Sequence, residues 1–373
     1  MDELRQGTVR PQRGPETDSA AAPENAPPLV SFVVIGRNEE DVIARSLESV
    51  LQAARRLPSW ECIYVDSASQ DDTVNRASAF PVTVIRLSEG QMMSAALGRY
   101  VGTRHATGTY VMYVDGDCLL QEGFVERAVA ALDADSSLAG AVGTRGKTLI
   151  RGNAGAGQDG EPVIQWDEPR NCDVVATGGV GFFRRAYVEQ VGGYNGVMRS
   201  NEERELCLRL QHAGYRIRCI PHPMMMHSSH IRQHDLSYRE LLRSFRSGLL
   251  EGPGQMLRRA IVDRRLSRKY MEPGTDRVLG FVVWTFVGVL LAAASLALGD
   301  ALWCGLWAAA TFLLLFLFLV RTRSLKRTAY YAVATVIQSI GLVRGFVRGC
   351  GHGKPCRPIY DILKSGAANG SAV

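Results

Sequence analysis

The stretch Tyr110-Val111-Met112-Tyr113-Val114-Asp115-Gly116-Asp117-Cys118 decides the fold class of this chain. Its apolar and aromatic residues, with two β-branched valines, predict a buried strand of a parallel sheet. The strand ends in two carboxylates, and because residues i and i+2 of an extended segment share one face, Asp115 and Asp117 are expected to converge. Gly116 lets the backbone turn at the carboxyl end of the strand, which is where ligands bind in open α/β sheets.

These two carboxylates predict a site for a divalent metal. Hard oxygen ligands suit Mg²⁺ or Mn²⁺ held jointly with a diphosphate, because Mg²⁺ is usually bound by one or two carboxylates together with substrate phosphates. The alternative interpretation is a solvated acidic turn, since Asp-Gly-Asp is also a common turn composition.

Three further strands precede this one and alternate with helices. Apolar runs rich in β-branched residues predict strands at Val30–Ile35, Glu61–Val65 and Val82–Leu87. Such alternation indicates a parallel sheet whose carboxyl ends meet at one edge, so a nucleotide is expected there. Assignment of the chain to the dinucleotide-binding or P-loop proteins has little support, because no Gly-x-Gly-x-x-Gly follows the first strand and no Walker sequence occurs.

Two segments beyond the Asp115 strand carry further candidate features. Residues 143–170 are polar and rich in glycine, which predicts a flexible loop over the site rather than a packed element. Asn201 is predicted to cap a helix whose first turn holds Glu202 and Glu203. Acidic residues in a first turn need no function, because the helix dipole alone favours them there.

The carboxyl-terminal third of the chain predicts a membrane anchor. Val278–Leu298 and Ala301–Val320 carry no charge, and each is long enough to cross a hydrocarbon core of about 30 Å. The tight link between them indicates a helical hairpin; two buried helices of a soluble core are the alternative. Thr328–Val343 is apolar but shorter and is followed by cations, which favours a helix lying in the interface over a third span.

Composition and charge indicate how this anchor is oriented. Residues 1–28 have almost no large apolar groups and lack the apolar core of a signal peptide, so we expect them to be disordered and the next domain to stay in the cytosol. Cations flank both outer ends of the hairpin, which by the positive-inside rule face the cytoplasm. Residues 232–276 interleave arginines with leucines, which suits anionic lipid headgroups or a lipid diphosphate. Nucleic-acid binding is the alternative, but no binding motif accompanies the charge.

The motifs together resemble the family 2 glycosyltransferases with the GT-A fold. Val33–Glu40 is similar to the family's opening strand and Asn-Glu turn, and Asp66–Thr73 to its Asp-x-Gly-Ser-x-Asp-x-Thr motif, with Ala68 in place of the glycine. Asp115-Gly116-Asp117 matches the Asp-x-Asp metal motif. Glu202-Glu203 falls where the family carries Glu-Asp, ahead of its Leu-x-x-Arg-Leu pattern.

The resemblance covers about residues 29–250 and implies a role for each matching residue. The implied catalytic residues are Glu203, as the base, and Glu202. The implied metal ligands are Asp115, Asp117 and His227, with a structural histidine as the alternative for His227. The implied contacts with the nucleotide sugar are Gly36, Arg37, Glu39, Asp66, Arg99 and Asp115. Arg99 is either a phosphate-binding or a structural cation, and Tyr100 replaces the asparagine that follows it in the family.

This resemblance implies a membrane-anchored inverting glycosyltransferase that uses Mg²⁺ or Mn²⁺. The donor is a nucleotide-diphospho-sugar, with UDP as the favoured nucleotide, and the acceptor is a polyprenyl-diphosphate-linked or other saccharide in glycan synthesis. No Gln-x-x-Arg-Trp motif of processive synthases is present, so single-sugar addition is expected. A GT-A-like nucleotidyltransferase and a non-catalytic sugar-nucleotide-binding membrane protein are the alternatives. The expected location is the cytoplasmic membrane, with the catalytic domain facing the cytoplasm.

The expected fold class is α/β, a mixed and mostly parallel GT-A sheet flanked by helices, with a carboxyl-terminal transmembrane hairpin. The predicted units are a disordered tail (1–28), a GT-A catalytic domain (29–231), a basic amphipathic membrane-proximal region (232–276), a transmembrane helical hairpin (277–321), and an interfacial helix with the carboxyl-terminal tail (322–373).

Overall fold

A single mixed sheet forms the centre of the computed structural model, which describes residues 28–150, 162–232, 237–264, 274–349 and 356–366. Its strands are β1 (Val30–Gly36), β2 (Trp60–Asp66), β3 (Thr83–Leu87), β4 (Tyr110–Asp115), β5 (Cys118–Leu120), β6 (Leu138–Ile150), β7 (Pro162–Trp166), β8 (Cys172–Asp173), β9 (Gly181–Arg184), β10 (Arg216–Arg232) and β11 (Tyr360–Lys364). The strand order is β11-β3-β2-β1-β4-β9-β6-β10-β5, with β7 on β6 and β8 on β10. The predicted tail 1–28 lies outside the described residues except for Pro28.

The four strands predicted from the sequence form the parallel part of this sheet. β1 lies between β2 and β4, and β3 follows on the far side of β2. Gly36 pairs with Asp66, and Ile35 pairs with Asp115. The three strands that carry these predicted site residues, β1, β2 and β4, therefore end at the same edge of the sheet. Because side chains alternate across a strand, the sheet buries apolar groups on both faces and needs a helix layer on each.

Helices cover both faces of the sheet, and further helices follow it in the chain. They are α1 (Ile43–Ala54), α2 (Thr73–Ser78), α3 (Ala95–His105), α4 (Phe124–Ala134), α5 (Arg185–Gln190), α6 (Glu202–His212), α7 (Tyr238–Ser247), α8 (Gly252–Val262), α9 (Thr275–Leu298), α10 (Leu302–Thr322) and α11 (Leu325–Arg348), with a 3₁₀ turn at Leu249–Glu251. On one face Phe32 and Val34 share a core with α1 and α4, and on the other Val33 and Ile35 share a core with α3 and α6. We call the sheet with α1 to α6 the sheet domain.

The predicted loop over residues 143–170 is wrong for residues 143–150 and 162–166, which form strands. β6 runs from Leu138 to Ile150, pairs in parallel with β10, and carries β7 on its other side. Its glycines, which indicated a loop, are required by close packing. A β-carbon on Gly143 would overlap the His222 carbonyl oxygen, and one on Gly146 would lie 3.0 Å from the Trp166 ring.

The carboxyl-terminal region contains three long apolar helices. α9 and α10 confirm the predicted pair of helices, and α11 is 24 residues long, so the length argument against a third span at Thr328–Val343 is wrong. By length and composition all three are sufficient to cross a membrane. After α11 the chain returns to the central sheet, where β11 pairs antiparallel with β3.

Candidate active site

A cavity of about 620 Å³ opens between the carboxyl edge of the sheet and the carboxyl-terminal helices. From the side of the sheet it is lined by Arg99, Asp115, Gly178, Gly179, Asn201, Glu202 and Glu203, among others. From the opposite side it is lined by Leu249, Leu250, Thr275, Arg277, Val278, Gln338 and Leu342, among others. Three of the predicted acids, Asp115, Glu202 and Glu203, therefore face a space that the predicted membrane region completes, whereas Asp117, Glu39 and Asp66 do not line it.

Arg99 joins two of the predicted acids at this cavity. Its side chain is 2% exposed on α3, and it donates to the Asp115 carboxylate at 2.5 Å and to the Glu202 carboxylate. One buried cation thus compensates two carboxylates that desolvation would otherwise disfavour. This geometry favours the structural alternative for Arg99 and occupies Glu202 in an ion pair. It also pairs Asp115 with Arg99, so a role for Asp115 as a metal ligand stays a prediction.

Glu203 is half-buried in the first turn of α6 and lines the cavity. Burial raises its pKa to about 7, and the adjacent Glu202 charge acts in the same direction. A carboxylate with a pKa near neutrality exchanges protons readily at physiological pH, as a general base must. Asn201 occupies the cap position in a left-handed conformation, with φ at 63°, but its side chain accepts no capping hydrogen bond.

Asp117 lies close to His227 on the neighbouring strand. A distance of 3.7 Å separates the His227 Nδ1 atom from the Asp117 carboxylate, and the Cys118 sulfur lies 3.4 Å from the same nitrogen. The proximity of the Asp117 carboxylate and the His227 imidazole lowers the pKa of Asp117 and raises the pKa of His227. Ser228 of β10 donates hydrogen bonds from its amide and its hydroxyl to the Asp117 carbonyl oxygen, which fixes the position of β10 relative to the turn that carries Asp117.

The donor atoms around Asp117 and His227 fit a divalent metal. One ligand atom each from Asp117, Cys118 and His227 lie within 4.8 Å of one another. Burial raises the pKa of the Cys118 thiol. Mg²⁺ and Mn²⁺ prefer carboxylate oxygen to sulfur, so the Asp117 carboxylate is the anionic donor, beside the His227 imidazole. Glu39 adds a further acid, because burial and the charges of neighbouring aspartates, Asp117 foremost, raise its pKa to about 7. A cation would relieve this repulsion.

The remaining predicted donor contacts form the loops after β1 and β2. Gly36 has no room for a side chain, because a β-carbon there would lie 2.9 Å from the Tyr64 hydroxyl, and Arg37 is exposed. Asp66 is fully buried and accepts hydrogen bonds from the Ser69 amide and hydroxyl. Ala68, which stands where the family has glycine, adopts φ of 57°, the left-handed region that favours glycine.

The sequence patterns missed two arginines that line the cavity. Arg199 is half-buried before α6, and exposed Arg277 lies in the first turn of α9, so they reach the cavity from segments that are distant in sequence. No motif marks either residue, and only the position of α9 beside the sheet domain brings them together. Gly178 and Gly179 also line the cavity, and their φ values are 67° and 97°. A β-carbon on Gly179 would lie 2.7 Å from the Asp115 carboxylate, so this loop lies directly against the acid.

Comparisons with known proteins agree with this architecture. Residues 31–192 match the family model described as Glycosyl transferase family 2. The chain is 27% identical over 108 residues to Glycosyltransferase AglE of Haloferax volcanii, a match that covers 28% of this chain and 36% of that protein. It is 31% identical over 115 residues to the EpsE glycosyltransferase of Bacillus subtilis, covering 29% of this chain and 40% of that protein. The matches thus span about two fifths of the length of these curated relatives.

A solved structure extends the likeness over most of the chain. The mannosyltransferase PcManGT of Pyrobaculum calidifontis, in complex with GDP-Man and Mn²⁺, is 19% identical, and the match covers 88% of this chain and 90% of that one with a TM-score of 0.50. At this identity the likeness shows the fold alone. The predicted GT-A-like mixed sheet flanked by helices is confirmed.

Proposed function

Since residues 31–192 match glycosyl transferase family 2, we propose that this chain is an inverting glycosyltransferase, which moves one sugar from a nucleotide-diphospho-sugar to a lipid-linked saccharide. The observation that carries the proposal is the position of Glu203. This acid has a pKa near 7, faces a cavity of about 620 Å³, and shares that cavity with Asp115 at the donor edge. UDP is the favoured nucleotide.

Glu203 acts as the catalytic base in this proposal. It takes the proton from the acceptor hydroxyl as that oxygen attacks the anomeric carbon. The new carbon–oxygen bond forms as the bond to the diphosphate breaks, and the nucleoside diphosphate leaves with the electron pair. Attack from the face opposite to the leaving group inverts the configuration at the anomeric carbon. Arg99 keeps the Glu202 carboxylate paired, and burial together with the Glu202 charge raises the pKa of Glu203.

Asp117 and His227 are the residues that would hold a divalent metal, with Asp115 and Glu39 contributing negative charge nearby. When bound, such a metal supplies electrostatic stabilisation to the departing diphosphate. The loops after β1 and β2, which contain Gly36, Arg37 and the turn held by Asp66, bind the nucleoside. Their place at the carboxyl edge of parallel strands supports this assignment.

The acceptor enters from the membrane side of the cavity. Apolar contacts are available there from Leu249, Leu250, Val278 and Leu342, and positive charge from Arg199 and Arg277. That combination suits an amphiphile with a phosphate group, such as a polyprenyl-diphosphate-linked saccharide. The chain is then an enzyme of the cytoplasmic membrane with its catalytic domain facing the cytoplasm, as the cations at Arg277 and Arg321 favour.

The proposed activity is tested with the full chain in detergent, Mn²⁺ and a panel of UDP-, GDP- and TDP-sugars. We expect release of a nucleoside diphosphate from one donor class, with sugar transferred to a polyprenyl-diphosphate acceptor. Release of pyrophosphate from a nucleoside triphosphate and a sugar phosphate would instead identify a nucleotidyltransferase. Binding of a nucleotide sugar without turnover, even with acceptors present, would indicate a binding module.

Asp117→Ala is expected to weaken Mn²⁺ binding at least about tenfold, because it removes the anionic donor opposite His227. Electron paramagnetic resonance of free Mn²⁺ in a titration of the full chain measures the affinity without reference to activity. Glu122→Ala is the matched control, since that carboxylate is exposed and pairs with exposed Arg56. Equal Mn²⁺ affinity in the two variants would place the metal elsewhere.

Arg277→Ala is expected to raise the KM for a phosphate-bearing acceptor by about tenfold, corresponding to one charge-assisted contact, and to leave the KM for the donor unchanged. Initial rates at varied acceptor and fixed donor concentrations measure the effect. Arg127→Ala serves as the control, because that cation is exposed on α4 and outside the cavity. If both substitutions have the same effect, the acceptor does not contact Arg277.

A further inference from the structure

We infer that, of the three long apolar helices that the structure describes, α9 and α10 cross the bilayer, whereas α11 lies along the membrane surface on the side of the sheet domain, with one apolar face in the lipid. All three helices are sufficient in length and composition to cross a membrane, so neither property separates them. The separation comes from where the two ends of α11 are held. It does not depend on the proposed enzymatic function.

The first argument is the pairing of β11 with β3. β11 follows α11 in the chain and forms an antiparallel edge pair with β3, with Tyr360 opposite Leu87. Lys364 secures it by donating to the carbonyl oxygens of Ser78 and Phe80. The chain therefore leaves the sheet domain before α9 and is back in it after α11. A chain that starts and finishes on one side of a membrane crosses it an even number of times, so three crossings are excluded.

The second argument is that α9 and α10 form an antiparallel pair that presents apolar side chains outward. The Trp284 indole donates to the Thr311 hydroxyl, and the Trp307 indole donates to the Trp284 carbonyl oxygen. This register puts the end of α10 beside the start of α9. Large apolar side chains on both helices are exposed, including Phe286, Leu290, Phe312 and Phe316. Such an exposed apolar surface needs lipid around it.

The third argument is that both ends of α11 contact structure on the side of the sheet domain. Near its start, the Thr328 hydroxyl lies 2.7 Å from the Thr322 hydroxyl at the end of α10. Near its end, Gly345 packs directly on the backbone of Glu251 in the 3₁₀ turn. A helix of 24 residues is about 36 Å long, so if it crossed the membrane its two ends would lie on opposite sides.

The 3₁₀ turn and α8, on which the end of α11 lies, are attached to the sheet domain. Arg259 of α8 forms an ion pair with buried Glu205 of α6. Arg348 of α11 in turn reaches the buried carboxylate of Glu251 at 2.6 Å. The last turns of α11 are therefore held on the protein and cannot lie across the bilayer from it.

The exposed face of α11 identifies lipid as its partner. Its exposed apolar side chains recur at intervals of three and four residues, which places them on one stripe of the helix. The exposed side chains that follow this spacing are Val333, Val336, Ile340, Val343 and Val347. The opposite face is buried against the protein and includes Ala334, Gly341 and Leu342. An amphipathic helix continuous with two lipid-exposed helices is suited to lie in the interface plane.

Gln338 and Leu342 of α11 also line the cavity, which places the entrance of the cavity at the membrane surface.

The arrangement is tested by inserting a protease recognition site at one of four positions in the full chain. The positions are before residue 28, after Asp300, after Arg323, and after Val373. Each variant is reconstituted in sealed vesicles, the population whose amino terminus is outside is selected through an affinity tag there, and protease is added without and with detergent. We expect cleavage after Arg323 and after Val373 without detergent, and cleavage after Asp300 only once detergent is added.

Three results would overturn the inference. Protection of the site after Val373 until detergent is added would mean an odd number of crossings, and protection of the site after Arg323 would mean that α11 crosses. Cleavage after Asp300 in intact vesicles would show that α9 and α10 do not span. The detergent arm establishes that each inserted site is cleavable, and a carboxyl-terminal fluorescent or phosphatase fusion reports the side of the carboxyl terminus without any insertion in the helices.

Discussion

Glu203→Gln is expected to lower kcat for sugar transfer by about 10²- to 10⁴-fold, the usual contribution of a general base. Glutamine keeps the size of the side chain and its place in the cavity but cannot accept the proton of the acceptor hydroxyl. Donor affinity, measured separately by titration calorimetry, should change little. Glu203→Asp retains the carboxylate, one methylene further back, and should lose less activity. Transfer by Glu203→Gln at the wild-type rate would show that another group is the base.

The pH dependence of wild-type transfer provides the matching test. The pKa of Glu203 is raised from 4.5 to about 7, so below pH 7 the base is increasingly protonated and kcat/KM should fall about tenfold per pH unit. A flat profile between pH 5 and pH 8 would contradict the assignment.

Stability should show the opposite trend with pH. A raised pKa means that the folded state binds this proton more tightly than the unfolded state. The stabilisation is therefore fully present below pH 4.5 and is lost as the pH rises through about 7. Glu203→Gln removes this titration, so its melting temperature relative to wild type should be higher at pH 8 than at pH 5. A change in activity without this change in stability would indicate that the pKa of Glu203 is not raised.

Arg99→Leu is expected to destabilise the sheet domain by about 3–5 kcal/mol, the usual cost of removing one partner from a buried ion pair. The guanidinium is 2% exposed and compensates both Asp115 and Glu202, which would be left without their cation. For a domain of this size the loss corresponds to a fall in melting temperature of roughly 6–20 °C. Differential scanning fluorimetry of the detergent-solubilised chain measures it.

Two companion variants separate charge compensation from packing. Adding Glu202→Gln to Arg99→Leu removes one uncompensated charge and should recover part of the lost melting temperature. Arg127→Leu replaces an exposed cation on α4 and should change the melting temperature little. If the double variant melts no higher than Arg99→Leu, the cost comes from lost packing around the guanidinium and not from the unpaired carboxylates.

The sequence predicted elements whose structure depends on local pattern. The strands at β1, β2, β3 and β4 follow from β-branched runs that end in polar turns, and α9 and α10 follow from uninterrupted apolar stretches. The proximity of Asp117 and His227 was implied by the family resemblance, which placed both residues near one metal. Each of these depends on residues close in sequence, on the order of motifs, or on the single rule that parallel strands share a carboxyl edge.

The errors and omissions arise where distant parts of the chain decide the structure. Gly143 and Gly146 resembled loop residues, yet they permit β6 to pack against the chain at His222 and against Trp166. The pairing of Asp115 with Arg99 depends on how α3 packs beside β4. Likewise, no local pattern marks β11 as the partner of β3, because the two strands are far apart in sequence and meet only in the folded chain.

The pairing of β11 with β3 also sets an order of events during synthesis. β3 emerges from the ribosome early, whereas the strand that covers its outer edge emerges only after three long apolar helices. Until then β3 presents an open edge, which is a template for pairing with other chains. Delivery of the helices to the membrane therefore precedes completion of the sheet. A nascent chain whose helices stall outside the bilayer is expected to aggregate through this edge before the sheet domain is finished.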